Sequence, residues 1–192
     1  MTLYNEALMP RPLLLCPVVL VLMVGCAREK EVPTLDEGVK HMQLTSTAFK
    51  EGDPIPEQYT GDGKDRSPAL KWTGAPNGTK SFALICEDPD APKKTWTHWV
   101  LFNVPADSHE LPEGVPADKT VLGGAKQGVN DFGKLGYGGP KPPKGSSHRY
   151  YFKLHALDTT LDLPAGATRQ QVLDALKGHV VAEGLLMGTY AR

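Results

Sequence analysis

Side chains alternate across a β-strand, so residues two apart share a face. In "SFALICED", residues 81–88, that rule puts Phe82, Leu84 and Cys86 on one face with Asp88. In "HWVLFNV", residues 98–104, Val100, Phe102 and Val104 share a face with His98. In "HRYYFKLHAL", residues 148–157, Tyr150, Phe152, Leu154 and Ala156 follow His148, and the opposite face of Arg149, Tyr151, Lys153 and His155 suits solvent. Each of the three strands thus has an apolar face with one ionisable group at an end. "MQLTS" (42–46) and "EGLLMGTYAR" (183–192) complete the strand candidates, most of them bounded by Pro, Gly, Asn or Asp. One helix is expected in "ATRQQVLDALKGH": Thr168 and Gln171 form a capping-box pattern, Val172, Leu173 and Leu176 give an apolar stripe, and Gly178 ends it. The pattern predicts a mainly β fold, mostly antiparallel, of two packed sheets with small peripheral helices.

Before Met42 the pattern is different. "RPLLLCPVVLVLMVGC", residues 11–26, is an apolar run too short for a comfortable membrane span and well sized for a signal-peptide core. Its end, "LMVGC", resembles the lipobox of bacterial lipoproteins, which implies cleavage and lipid attachment at Cys26. Met23 stands where that motif usually has Leu. "MTLYNEAL" holds Glu6 and no positive side chain, so Met9 reads better as the start. "AREKEVPTLDEGVK" is charged and without periodicity, as a tether would be. The expected organisation is a signal segment over 1–26, a flexible tether over 27–41 and one domain over 42–192. The chain is then an exported lipoprotein, held on a membrane by its lipid and facing outward. Ala27 after the cysteine points to the outer membrane of a Gram-negative host.

Composition narrows the function. A formal net charge of -1 excludes the unopposed Lys and Arg on which general nucleic-acid binding relies. Twenty Gly and 17 Pro fit a turn-rich β fold. Of three cysteines, the mature chain would keep Cys86 free of lipid, so it has no internal disulfide. Cys86 lies within an apolar run and reads as a buried, inert thiol.

Candidate chemistry gathers at the three strand ends. If 81–88 and 98–104 pair as a hairpin, Asp88 and His98 fall at the same sheet edge, and His148, opening its own strand, can join them. An apolar cavity with a few convergent polar groups is the form of a small-ligand site. The loop before His148, "GGPKPPKGSS", adds glycines whose N–H groups can approach an anion and prolines that fix its shape. Lys141, Lys144, Arg149, Lys93 and Lys94 supply positive charge nearby, while Asp88 and Asp90 supply the opposite sign. A site of both signs suits a zwitterion such as phosphoethanolamine. The competing reading for either histidine alone is a loop cap. A hydrolase is the alternative: an Asp–His pair can activate water, although Ser146 and Ser147 lack a nucleophile-elbow pattern. A zinc site would need ligand pairs such as HExxH or CxxC, which are absent from the sequence.

These residues carry a resemblance. "DPDAP" (88–92), "THWVLFNVP" (97–105) and "GYGGPKPPKGSSHRYYFKLHALD" (136–158) resemble the phosphatidylethanolamine-binding protein family, most closely its bacterial Raf-kinase-inhibitor-like, YbhB/YbcL branch. "IPEQYTGDGKDRSPALKW" and "HVVAEGLLMGTY" extend the likeness over nearly all of the chain from Met42. Gly61 stands where bacterial members often have Cys. The resemblance implies a β-sandwich with a small surface pocket for phosphate-bearing headgroups and other small anions. It implies the pocket residues Asp88, Asp90, His98, Gly138, His148 and Tyr150. Asp88 would hydrogen-bond the ligand, His98 would shape the wall, Gly138 would offer its N–H, and His148 would close the far side above Tyr150. No cofactor and no metal are implied. Kinase regulation, known in relatives, does not transfer to an exported protein; inhibition or regulation of a periplasmic or surface protein partner is a further alternative, and the sequence names no such partner.

Overall fold

The computed structural model describes residues 32–192; the expected signal segment, Cys26 and the start of the tether lie outside the described residues. Ten strands are described: β1 (Lys40–His41), β2 (Gln43–Ser46), β3 (Leu70–Thr73), β4 (Ser81–Asp88), β5 (Trp96–Pro105), β6 (Glu110–Leu111), β7 (Thr120–Val121), β8 (Ala125–Gln127), β9 (Ser147–Leu157) and β10 (Val180–Ala191). One α-helix, α1 (Arg169–Leu176), lies between the last two. The strands form a large sheet in the order β1-β10-β9-β4-β5-β8-β7 and a small one in the order β2-β3-β6. All pairs are antiparallel except β1 with β10. The expected two-sheet β architecture is therefore present, with one unequal partner and one parallel edge.

The two sheets close on a core in which Leu44, Leu70 and Trp72 of the small sheet meet Phe82, Leu84, Phe152 and Leu154 of the large one. Trp72 packs edge-on against Phe82 at 5.1 Å between ring centroids. Burying each such side chain stabilises the fold by about 1.5–3 kcal/mol. The other face of the large sheet is also covered: Ala83, Ile85, Val100 and Phe102 lie under Leu161, Val172 and Leu176. The α1 start is as expected, with Thr168 and Gln171 satisfying each other's backbone N–H groups.

Burial on both faces explains where alternation fails. His98, Val100, Phe102 and Val104 do not share a face. The β4–β5 register slips between Cys86 and Glu87 and again between Phe82 and Leu84. The first slip leaves His98 as an extra residue between Thr97, opposite Glu87, and Trp99, opposite Cys86. His98 and Trp99 thereby both reach the inner side, while Val100 and Phe102 turn to the helix side. A second slip, at Asn103 with φ 56°, returns Val104 to the inner side. Bulges of this kind re-aim side chains beside functional sites.

The expected solvent face of β9 is also corrected. Tyr151 and His155 are buried, and Lys153 is half-buried. Residues 34–36, which fall in the expected tether, lie over this face: Lys153 Nζ donates to Thr34 O at 2.6 Å, and Asp36 N donates to Glu183 at 2.9 Å. Glu183 in turn stands 3.0 Å from both Lys153 Nζ and His155 Nδ1. Burial pushes the Glu183 carboxyl up, but His155, the Asp36 N–H and Lys153 outweigh it and hold it at about 2.

Candidate functional site

Strand pairing brings the three strand ends to one edge. Asp88 sits opposite Trp96, and Glu87 pairs with both Thr97 and Tyr151, so the end of β4 is flanked by the starts of β5 and β9. There a cavity of about 210 Å³ opens, lined by Asp88, His98, His148 and Tyr150. Its remaining walls are Ala91, Pro92, Trp96, Phe132, Lys141, Pro142 and Pro143.

Asp88 organises the floor. One carboxylate oxygen accepts the Asp90 and Ala91 N–H groups at 2.8 and 3.1 Å, folding the DPDAP turn. The other accepts from His148 Nδ1 at 2.7 Å, and both side chains are almost fully buried. That bond fixes the imidazole and leaves Nε2 without a protein partner among the described residues. His98 donates from Nδ1 to the Gly138 carbonyl at 2.5 Å, so its own Nε2 is an acceptor in the neutral ring. Burial pushes the His98 pKa down, against the Gly138 carbonyl and Asp88, which favour the charged form. The ring stands edge-on to Tyr150 and Phe132, at 5.1 and 5.4 Å.

Tyr150 is 1% exposed, and its buried hydroxyl has no hydrogen-bond partner among the described residues. Burial and the neighbouring Asp88 raise its pKa far above the usual phenol range, so it remains a donor. A buried polar group left unpaired in a cavity wall is uncommon and calls for an explanation.

Two of the six expected residues play other parts. Asp90 does not line the cavity: its carboxylate is occupied by Arg149, through the backbone N–H at 2.9 Å, Nε at 2.8 Å and Nη2 at 2.7 Å. The Arg149 guanidinium holds the Asp90 pKa below the ordinary carboxylate range. Asp90 and Arg149 thus clamp the turn that carries Asp88 to the strand that carries His148. Gly138 donates its N–H to His98 O at 2.9 Å, so that group does not face a ligand. What Gly138 supplies is space: a Cβ there would lie 2.7 Å from two ring carbons of Phe132. The loop's other glycines are likewise engaged, Gly139 N with Asp65 and Gly145 N with Arg192 O. The donors available to an anion are therefore side chains rather than glycine amides.

Among the charged residues expected nearby, Lys141 lines the cavity and donates to Gly61 O at 2.9 Å, and Lys94 pairs with Asp131 at 2.6 Å. Gly61 also donates its N–H to Pro140 O, so it lies behind the proline-rich wall and not in the cavity. Sequence reasoning missed Trp96 and Phe132. Phe132 sits in "NDFGK", a turn whose Asn130 side chain accepts the Phe132 and Lys134 N–H groups; an aromatic at such a turn was the available signal. Cys86 is buried, and burial pushes its thiol pKa well up, as an inert core thiol requires. Among the described residues no group of three or more His, Cys, Asp or Glu is arranged to hold a metal ion.

Comparison with known proteins settles the family. The sequence profile of the phosphatidylethanolamine-binding protein family matches residues 45–191. This chain belongs to that family. Among its relatives, a UPF0098 protein of Methanothermobacter thermautotrophicus is 54% identical over 151 residues, covering 79% of this chain and 99% of the relative. A UPF0098 protein of Aquifex aeolicus is 49% identical over 153 residues, covering 79% and 89%. The crystal structure of Escherichia coli YbcL, described as a member of the mammalian PEBP family, superposes with a TM-score of 0.74 at 38% identity and covers 79% of this chain and 99% of YbcL. A PEBP homologue from Chlamydia trachomatis gives 0.73 at 41% identity, covering 80% and 99%. The chain is thus a PEBP-like binding protein in fold. The matched region corresponds to nearly the whole length of these relatives.

Proposed function

We propose that this protein binds a small phosphate-bearing or otherwise anionic group in the cavity at Asp88, His98, His148 and Tyr150, with the phosphoethanolamine headgroup of a phospholipid as the best-fitting ligand. The observation that carries this reading is the Tyr150 hydroxyl, a buried donor with no partner, beside a His148 oriented by Asp88. An anion seated there accepts from Tyr150 and, when the His148 ring carries both its protons, from His148 Nε2, with Lys141 at the wall adding positive charge. The ammonium of a zwitterion finds acceptors in His98 Nε2 and the Asp88 carboxylate. A cavity of about 210 Å³ suits a headgroup and not a whole lipid. Anchoring through lipid on Cys26, with export to face outward, completes the proposal; palmitate labelling of the full chain, abolished by Cys26→Ala, tests it.

Phosphorus NMR titration of phosphoethanolamine with residues 32–192 tests the ligand. Saturable shifts or broadening are expected with the unmodified domain and their loss with His148→Ala; no perturbation by the unmodified domain would refute the reading. One observation favours a second reading, phosphoester or ester hydrolysis. Asp88 orients His148 as a general base is oriented, with Nε2 free to take a proton from water. Protein nucleophiles are not to hand: Ser146 Oγ donates to Pro143 O, and Cys86 is buried. Turnover of a phosphoester that disappears with His148→Ala would establish this alternative.

A further inference from the structure

Three loops meet at the mouth of the cavity, and they share one design. Each contributes an exposed apolar residue to the lining, namely Pro92, Phe132 and Pro143. Each places an exposed lysine one or two residues further on, namely Lys93, Lys134 and Lys144. Phe132 is 44% exposed and, with Val32, is one of two large hydrophobic side chains so exposed among the described residues. Its exposure is built in: Asn130 fixes the turn through the Phe132, Gly133 and Lys134 N–H groups and the Lys134 carbonyl, and the ring rests edge-on against Trp96 and His98.

The charges sort in the same way. Segments 89–94, 131–134 and 141–144 carry Lys93, Lys94, Lys134, Lys141 and Lys144 against Asp90 and Asp131, and Lys141 is paired at 3.5 Å with Asp62 from outside them. Both carboxylates are already neutralised, Asp90 by Arg149 and Asp131 by Lys94. Burial works against the Asp131 charge, but Lys94 and the Thr97 N–H outweigh it and keep the carboxyl ionised. Lys93, Lys134 and Lys144 form no ion pair among the described residues. A chain of net charge -1 thus presents a surplus of free cations around one opening.

We infer that this rim is a docking face for an anionic phospholipid bilayer. Apolar tips at headgroup depth, with lysines beside them on lipid phosphates, are how a peripheral protein lies on such a surface. The same pairing of apolar tip and unpaired lysine recurs on three separate loops that line one cavity, which fits a charged surface better than a single extended peptide. Docked in this way, the cavity faces the headgroup of a lipid still in its bilayer, so extraction is unnecessary. The inference rests on the headgroup reading for what enters the cavity, but docking itself is measured separately.

The test is cosedimentation of residues 32–192 with vesicles of phosphatidylcholine, with and without a minor share of phosphatidylglycerol. Sedimentation is expected with the anionic vesicles only, weakening as salt rises. Each of Lys93→Gln, Lys134→Gln and Lys144→Gln lowers partitioning roughly fivefold, and the triple variant about a hundredfold. None of the three lysines lines the cavity, so the triple variant keeps its phosphoethanolamine titration, which also shows that it is folded. Phe132→Ser lowers partitioning on either background. His148→Ala leaves sedimentation intact, so a failed headgroup reading is told apart from a failed docking reading. Absence of sedimentation with anionic vesicles overturns the inference, as does sedimentation that the triple lysine variant leaves unchanged. Preferential binding of a phosphorylated peptide over vesicles at equal phosphate overturns it too.

Discussion

Replacing Tyr150 by Phe should make the unliganded protein more stable and the ligand weaker. The Tyr150 ring fills the floor of the cavity, stands 5.1 Å from His98 edge-on, and is 1% exposed; its hydroxyl has no partner. A buried hydroxyl denied its hydrogen bonds costs roughly 1–3 kcal/mol relative to water. Phe keeps the ring and removes that penalty, so ΔG of unfolding should rise by a similar amount. In a domain of this size each kcal/mol is about 2–4 °C in Tm. The bound state reverses the balance. A hydrogen bond to a charged ligand is worth about 1.5–3 kcal/mol, so Tyr150→Phe should weaken phosphoethanolamine binding roughly ten- to hundredfold. Urea denaturation of residues 32–192 without ligand gives the first quantity, and phosphorus NMR titration gives the second. A Phe variant less stable than the parent would refute the orphaned hydroxyl. A more stable variant with unchanged affinity would show that the hydroxyl is orphaned but that the ligand does not use it. Stability traded for function in this way is common at binding sites.

Two further outcomes follow from the structure. Glu183 titrates at about 2 in the fold against 4.5 as a free group. A folded pKa below the unfolded one gives stability that is present above the unfolded value and lost as pH falls through the folded one, here on the order of 3 kcal/mol between about pH 5 and 2. Glu183→Gln should therefore lower stability at neutral pH and, compared with the parent in urea melts across pH, flatten the acid limb; parallel curves would contradict the Lys153–Glu183–His155 cluster. Gly138→Ala puts a methyl 2.7 Å from two Phe132 ring carbons, so the ring must move. Overpacking of this kind costs about 1–3 kcal/mol, and the displaced wall should also weaken phosphoethanolamine binding, both read in the same melts and titrations.

By itself the sequence determined the fold class, the major strands, the α1 start and the meeting of Asp88, His98 and His148. Each rests on local chemistry: runs of strand-forming residues bounded by turn residues, a capping box, and motif residues fixed to strand ends. The tertiary structure alone decided what those groups touch. The β5 strand is buried on both faces, so its sequence shows no alternation to reveal the bulge that puts His98 and Trp99 on the same side. Lys153 and His155 read as solvent-facing until Glu183, on the neighbouring strand, and residues 34–36, more than a hundred residues away in the chain, close over them. Asp90 and Asp88 are two residues apart and chemically identical, yet one is consumed by Arg149 and the other orients His148. The glycine amides were legible as donors, but which acceptors would consume them was not, because His98 O and Asp65 reach them only in the folded chain. Residue type and spacing state which hydrogen bonds a segment is able to make; long-range packing selects the partners, and those partners leave the Tyr150 hydroxyl unpaired in the cavity wall.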